Sequence, residues 1–433
     1  MPPAEVSSAG TPDSEWEAVR HSLGWLLAAN CVGVWLAALL LFPRLNEGLG
    51  EWTYGRWAPL HLNLHLYGWC SLPLVGWLLR VYRVSSSGAR AWSRAVVWGW
   101  SLALIFGAGS WLAGEVSGKL FLDWRGMARV LFPLAVLLLW VLLAWAWLTP
   151  GPGAGTSRGG RLAGAAGLLL LLAVPWVLFL ACDPRSYPPV NHETGGPTGA
   201  SLLDSTLAVV AILLVLPWGC GRPARSPGRV FGLAAGLLTA EIGLGIALGH
   251  GDATHHQPAQ IGALACLLPW VFLLPACYAR FDWPAPARRW LRACWFWWAL
   301  LVVGSFTAFL PGVLDRVKFT NALVAHSHLA MAGFISSLNL FLLAVMSGDR
   351  GVALGRPWSF SVWQGGVLAQ VLVLAAAGWR EGVDPAFTFV PGGTRQLVLA
   401  SRLAAGVLMT LAAVSWWRRC GRASGLARAG LAA

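Results

Sequence analysis

Two histidines, His326 and His328, lie near the start of the apolar stretch Lys318–Met346, which is long enough to form one membrane-spanning helix. Each helical residue turns by about 100°, so side chains two positions apart point roughly 200° away from each other. The two imidazoles cannot easily bind one metal from a regular helix, but each can ligate a different metal on its own side. The alternative is a hydrogen bond to water or backbone at the helix start. Ionisable groups inside apolar spans are costly and usually functional, which favours ligation.

A second pair, His61 and His65, lies in the stretch YGRWAPLHLNLHLYGWCSLPLVGW. Residues four apart share a helix face, so both imidazoles can bind one metal, or one is the ligand and the other packs beside it. We favour His61 as the ligand. Arg56, five residues upstream, lies at the expected membrane interface, where it can pair with a negatively charged cofactor group. The alternative is an arginine that extends its charge towards the interface.

A third group lies around the segment GHGDATHHQP, in which His250 ends an apolar stretch and His255 and His256 follow in the loop. A solvated loop pair is the alternative to metal ligation for His255 and His256. Glu241 lies in the middle of the same apolar stretch, and Asp204 lies in the preceding one. Carboxylates at this depth are often proton-relay groups. The alternative is a neutral acid that is hydrogen-bonded to a neighbouring helix.

The composition requires these residues to be placed by membrane helices. The chain has 433 residues, 57% of them hydrophobic and 11% charged, with a mean hydropathy of +0.62. This is typical of an all-α polytopic membrane protein. The net charge of +13 is spread over short loops, so membrane topology explains it better than nucleic-acid binding. We predict twelve spans, near residues 22–42, 58–80, 95–114, 127–148, 162–182, 199–218, 230–250, 259–279, 291–311, 321–346, 359–378 and 396–416.

These spans predict a bundle over residues 22–416, with an N-terminal tail of residues 1–21 and a basic C-terminal tail of residues 417–433. Lysine and arginine are more frequent in alternate loops, beginning with the one that holds Arg80, Arg83, Arg90 and Arg94. The positive-inside rule makes those loops and both termini cytoplasmic. Every histidine except His21 then lies on the outer half of the bundle or in an outer loop.

The order of these motifs resembles the catalytic subunit I of heme-copper oxidases, in particular the cbb-type cytochrome c oxidases and their nitric oxide reductase relatives. RWAPLH, which ends at His61, is similar to the family motif in span 2, and AHSH, with His326 and His328, is similar to the motif in span 10. The last two spans, around GWREGVDPAFTFVPGGTRQLVLASRLAAGVLM, also resemble the cbb-type pattern. The likeness covers the whole chain in topology, and its specific motifs are in spans 2 and 10.

The resemblance implies two hemes. His61 and His328 would be the axial ligands of a low-spin heme, and Arg56 would pair with a heme propionate. His326 would be the proximal ligand of a high-spin heme on the other side of span 10. Bis-histidine ligation leaves no open position and suits electron transfer, whereas a single histidine leaves a position for a gas such as O₂.

The sequence departs from the family at the second metal, which is copper or non-heme iron in members of the family. Gly196 stands where the family has a span-6 histidine, and His250, His255 and His256 are the remaining candidates. We therefore expect any second metal to be bound weakly or not at all, because glycine offers no donor. The active-site tyrosine of the oxidases is also missing from spans 6 and 7.

From the resemblance we expect a heme-binding respiratory oxidoreductase in a prokaryotic inner membrane. It would be a terminal oxidase with O₂ as its default electron acceptor. Its catalytic residues would include His326 and Glu241, and its electrons would come from a partner subunit of cytochrome c or copper type. The alternatives are nitric oxide reduction, a heme-only electron-transfer or sensing subunit, and a transporter. The paired histidines argue against the transporter.

Overall fold

A computed structural model describes residues 13–119, 121–151, 158–186, 203–248 and 257–429 of the chain. The described residues are almost entirely helical, and the helices are α1 (Asp13–Leu41), α2 (Tyr54–Asn63), α3 (Leu72–Val81), α4 (Ser93–Leu112), α5 (Ala128–Leu148), α6 (Arg158–Ala181), α7 (Leu203–Cys220), α8 (Gly228–Leu248), α9 (Pro258–Ala265), α10 (Trp270–Tyr278), α11 (Ala285–Ala308), α12 (Val313–Val317), α13 (Asn321–His328), α14 (Ser336–Met346), α15 (Pro357–Glu381) and α16 (Gly393–Ala429). Two two-residue strands, β1 (Arg222–Pro223) and β2 (Phe281–Asp282), pair antiparallel.

Ten helical stretches in the described part of the chain are long and apolar enough to cross a membrane. Each one coincides with a predicted span, which confirms the all-α polytopic membrane class. The predicted spans 2 and 6 correspond to the helical stretch from α2 to α3 and to the shorter helix α7, so the total of twelve stays a prediction. Helix α1 begins at Asp13 and α16 runs to Ala429, so both predicted tails contain helical residues.

The two histidine-bearing spans share an unusual local structure. A π-helical segment, Leu64–Cys70, joins α2 to α3, and another, Leu329–Ile335, joins α13 to α14. Each segment is followed by a serine whose hydroxyl donates to a carbonyl five residues back. Ser71 bonds Leu66 O and Ser336 bonds Met331 O, both at 2.8 Å. Single π-helical turns inside α-helices are frequent at functional sites.

Small residues let the helices around these spans approach closely. A Cβ atom at Gly68 would lie 2.7 Å from the Cβ of Trp25 on α1, and one at Gly333 would lie 2.7 Å from the Trp297 ring on α11. Both distances are too short for a side chain, so each π-helical segment is pressed against a tryptophan of a neighbouring helix. This packing fixes how deeply the two segments sit in the bundle.

Candidate functional site

The structure brings together three imidazoles from the two predicted heme-ligand spans. The rings of His61 on α2 and His65 in the first π-helical segment have centroids 4.7 Å apart and lie nearly perpendicular. His328, the last residue of α13, lies near both of them. We call His61, His65 and His328 the histidine cluster.

Hydrogen bonds fix the tautomer of two members of this cluster. Nδ1 of His61 lies 2.9 Å from the Ala29 carbonyl on α1, and Nδ1 of His328 lies 2.8 Å from the Val324 carbonyl. A carbonyl oxygen only accepts, so each Nδ1 carries the proton and donates it. Each Nε2 then keeps a free lone pair, which is the form of histidine that ligates a metal, oriented as second partners usually orient such ligands.

Helix α1 also fixes the position of the His61 ring by close packing. A Cβ atom at Gly33 would lie 2.6 Å from Cε1 of His61, closer than any real contact. The ring therefore occupies the space that a side chain at Gly33 would take. The Ala29 bond and this close approach together hold the imidazole in one orientation.

Gln370 on α15 lies beside the free nitrogen of His328. Its Nε2 is 3.4 Å from His328 Nε2, a long contact in which the amide is the donor because the imidazole nitrogen has no proton. Gln370 is buried, and its Oε1 atom has no hydrogen-bond partner among the described residues. An unpartnered buried acceptor is costly, so this corner suits a ligand that brings a donor.

Arg402 on α16 is a cation close to the histidine cluster that the sequence analysis left without a role. It interacts electrostatically with both His61 and His328. One turn further along α16, Gly406 packs against Val34 of α1, next to Gly33. Arg402 forms no ion pair with any residue that the structure describes. The sequence signal was present, since a lone arginine inside an apolar span is a functional candidate by itself.

His326 stands apart from the cluster, as the two-residue spacing requires. It lies on the same short helix as His328, but it does not share the electrostatic interactions that link His328 to His61 and Arg402. Within the described ranges neither of its ring nitrogens forms a hydrogen bond. The structure thus supplies two histidine positions on different sides of α13, one clustered and one single.

The start of α13 is fixed by α15 through Glu381, which the sequence analysis did not single out. Glu381 accepts a hydrogen bond from the Asn321 backbone N–H at 2.7 Å, one from the Asn321 side-chain amide at 2.6 Å, and a short one from the Thr388 hydroxyl. A carboxylate at a helix N-terminus satisfies free N–H groups and complements the helix dipole. Gly378 allows the two helices to meet, because a Cβ atom there would collide with the Ala322 backbone.

A buried hydrogen-bonded group also joins the two histidine-bearing spans directly. The Trp69 indole donates to Ser336 Oγ at 2.8 Å, and the Asn339 amide donates to the Trp69 carbonyl at 2.9 Å. All three residues are at most 1% exposed, so water does not compete for these bonds. We call Trp69, Ser336 and Asn339 the tryptophan clamp.

Arg56 is already paired in this structure. Its guanidinium lies 2.9 Å from Glu51 Oε2 and donates to the Leu112 carbonyl at 2.9 Å. Gly114, in the left-handed region at φ 90°, packs against the same guanidinium. Glu51 is 80% exposed, so this ion pair is weak, and Arg56 is free to exchange it for another anion.

Glu241 lies on α8 and binds α10 rather than the cluster. The Trp270 indole donates to its Oε2 at 2.7 Å, while its buried Oε1 has no partner in the part of the chain that the structure describes. One of the two carboxyl oxygens is thus hydrogen-bonded. This agrees equally with a neutral acid bonded to a neighbouring helix and with a proton-relay group. Its catalytic role stays a prediction.

The candidate ligands of a second metal, His250, His255 and His256, lie outside the described residues, as do Gly196 and the side chain of Asp204. Among the residues that the structure does describe, no group of three or more His, Cys, Asp or Glu is placed to hold a metal ion. The expectation of a weak or missing second metal stays a prediction.

The residues around the histidine cluster fit a bis-histidine heme by their donor chemistry. Two free Nε2 lone pairs come from the two histidine-bearing spans, and a cation with no acidic partner among the described residues lies near both. These groups match an iron with two axial sites and a ligand that carries negative charge. The Gln370 oxygen, which needs a donor, is not explained by such a ligand.

The comparisons with known proteins find a similarity over a limited stretch of the chain. No protein-family model matches the chain. Over 109 residues it is 31% identical to cytochrome c oxidase subunit 1 of Rhodobacter capsulatus. The matched stretch covers 23% of this chain and 20% of that relative, about a fifth of the relative's length. The likeness supports a distant relationship to the oxidase subunit.

Proposed function

We propose that this chain is a heme-binding respiratory oxidoreductase related to cytochrome c oxidase subunit 1, and that His61 and His328 are the axial ligands of its low-spin heme. The observation that carries the proposal is that these two histidines have the same tautomer and the same kind of hydrogen-bond partner. Both donate Nδ1–H to a backbone carbonyl and both keep Nε2 free, in two spans that the tryptophan clamp holds together further along. His65 would pack beside His61 as a neighbour, not as a ligand.

His326 would hold the second heme. A single histidine ligand leaves one position on the iron open, which is where O₂ would bind. Because His326 and His328 lie on one helix, electrons would pass from the low-spin to the high-spin heme over a short distance. The electrons would enter from a partner subunit or a docking protein with a heme c or copper centre.

Arg402 would favour electron uptake at the low-spin heme. A cation in a low-dielectric site stabilises the more negative of two redox states. The ferrous heme carries one positive charge fewer than the ferric heme, so a nearby guanidinium raises the tendency of the heme to be reduced. Arg402 and Arg56 also offer two cations for the heme propionates.

A heme-only electron-transfer subunit is the second candidate. It is favoured by Gly196, which stands where the resemblance expects a histidine ligand of copper or non-heme iron. Metal analysis of the purified protein separates the candidates. Heme with copper would support an oxidase, heme with extra iron a nitric oxide reductase, and heme alone the electron-transfer subunit.

The direct test is a reduced-minus-oxidised spectrum of the purified protein and three alanine variants. We expect the low-spin signal to disappear in His61→Ala and in His328→Ala, because each removes one axial ligand. His65→Ala is the matched control, since it removes an adjacent imidazole and should keep the signal. A normal low-spin signal in both ligand variants would refute the assignment.

A further inference from the structure

A cavity of about 390 Å³ opens between the first turns of α1 and the last turns of α16, away from the histidine cluster. It is lined by Arg20, Leu23, Trp417, Arg418, Cys420 and Gly421. The Ala29 and Gly33 positions that meet His61 lie further along α1, at least about 9 Å along the helix axis from Leu23. The cavity therefore has no part in the proposed heme site.

The cavity carries positive charge that the surrounding residues neutralise only in part. The acid that pairs with Arg20 is Glu17, at 3.7 Å, and Glu17 also accepts from the Trp98 indole and lies 3.5 Å from His21. Arg418 has no ion pair with any residue in the described ranges. Two guanidinium groups thus line one opening, and the ion pair described there is with the shared Glu17 carboxylate.

The floor and rim of the cavity are apolar and lie at the edge of the membrane. Leu23 is fully buried, whereas Trp417 is 48% exposed. The apolar spans of both helices, Ser14–Leu41 and Gly393–Gly421, end on this side of the bundle, since α1 begins where α16 ends. Tryptophan is favoured at the depth of lipid headgroups. The opening is therefore placed at the level of a phospholipid phosphate.

We propose that this cavity is a binding site for an anionic phospholipid. The guanidinium groups of Arg20 and Arg418 bind the phosphate oxygens, for which their planar donor pairs are suited. The glycerol and the first part of an acyl chain lie against Leu23 and Trp417. Basic pockets between the ends of membrane helices bind acidic headgroups in this way. A zwitterionic lipid binds less well, because its own cation is repelled by the two arginines.

The test is a lipid titration of the purified, delipidated full chain, followed by native mass spectrometry. We expect phosphatidylglycerol to be retained in preference to phosphatidylcholine. The variant Arg20→Gln/Arg418→Gln should lower the apparent affinity for phosphatidylglycerol by about 30-fold, from about 1 kcal/mol per arginine. The control Arg225→Gln/Arg229→Gln removes two exposed arginines before and at the start of α8, on the same predicted side, and should leave the affinity unchanged.

Two further measurements keep the proposal open to refutation. In the unaltered protein, retention of phosphatidylglycerol should fall as salt is raised, because salt screens the contact between arginine and phosphate. This does not depend on whether the glutamine variant folds. Inorganic phosphate at the same concentration as the lipid should not displace it, because it lacks the apolar contacts. Equal retention in the two double variants, retention that does not respond to salt, or displacement by inorganic phosphate would each overturn the proposal.

Discussion

The tryptophan clamp gives the sharpest test of how the two histidine-bearing spans are held together. Ser336 Oγ donates to Met331 O in the second π-helical segment and accepts from the indole of Trp69, which lies in the first. The substitution Ser336→Ala removes both bonds without adding volume. It leaves the Trp69 N–H buried with no acceptor, since Trp69 is 0% exposed.

The expected cost follows from that unpaired donor. Leaving a buried donor unsatisfied costs about 1–3 kcal/mol, and the lost serine bond adds about 1 kcal/mol. Partners gained in the membrane-bound unfolded state reduce this sum, so we expect a loss of stability of about 2 kcal/mol. The loss acts between the spans that carry His61 and His328, so it should also change the geometry of any ligand that both residues bind.

The assay is a thermal melt followed by the low-spin heme band, together with electron paramagnetic resonance of the oxidised protein. The Ser336→Ala variant should melt at a lower temperature and have shifted low-spin g values. The Ser336→Thr variant, which keeps the hydroxyl, should retain the melting temperature and g values of the unaltered protein. Ser337→Ala is the control, because Ser337 accepts one long bond of 3.2 Å from Gln364 on α15 and does not touch Trp69. Unchanged melting and g values in Ser336→Ala, or equal changes in Ser337→Ala, would refute the reasoning.

Three more substitutions separate the roles of the remaining residues. His326→Ala should abolish the CO-induced shift of the reduced Soret band and keep the low-spin signal, whereas Ser327→Ala should keep both; a retained CO shift would contradict the single-histidine heme. Glu381→Ala should weaken both hemes together and cost about 2 kcal/mol, because α13 carries both ligands and loses its N-terminal partner; in the control Asp384→Ala, which breaks only a local turn, heme content should not change. Arg402→Met should lower the midpoint potential of the low-spin heme in a redox titration by tens of millivolts, because a nearby cation is lost; an unchanged potential would remove Arg402 from the site.

The fold class could be predicted from the sequence because a membrane span is a local property. Twenty or so consecutive apolar residues are needed to cross the bilayer, and each such stretch can be recognised without knowing its neighbours. Helix α7 and the interrupted helix from α2 to α3 are the weak cases. The interrupted helix contains His61, His65 and Asn63, which lower its mean hydropathy. The polar residues that could serve a function therefore also make this span harder to recognise from hydropathy.

Site residues could be predicted only where an ionisable side chain lies in an otherwise apolar segment, because burying it there is energetically costly. His61, His326 and His328 are such residues, because ionisable groups are rare in apolar spans. The roles of Gln370 and Glu381 depend on partners that lie 42 and 60 residues away in the chain. No local sequence pattern connects those pairs. The residue spacings that predict helices also do not show where a helix becomes π-helical.

The π-helical segments determine what a change in chain length would do. A helix that runs through Leu64–Cys70 contains one residue more than an α-helix needs for the same path. Deleting a single residue there would let the segment close as a regular α-helix over the same path, so His61 would still face Ala29 and Gly33 while Trp69 kept its place in the clamp. A second deletion has no extra residue to absorb it and would turn His61 by about 100° relative to Trp69. These two spans should thus tolerate the loss of one residue between the histidine and the serine that closes its segment, but not the loss of two.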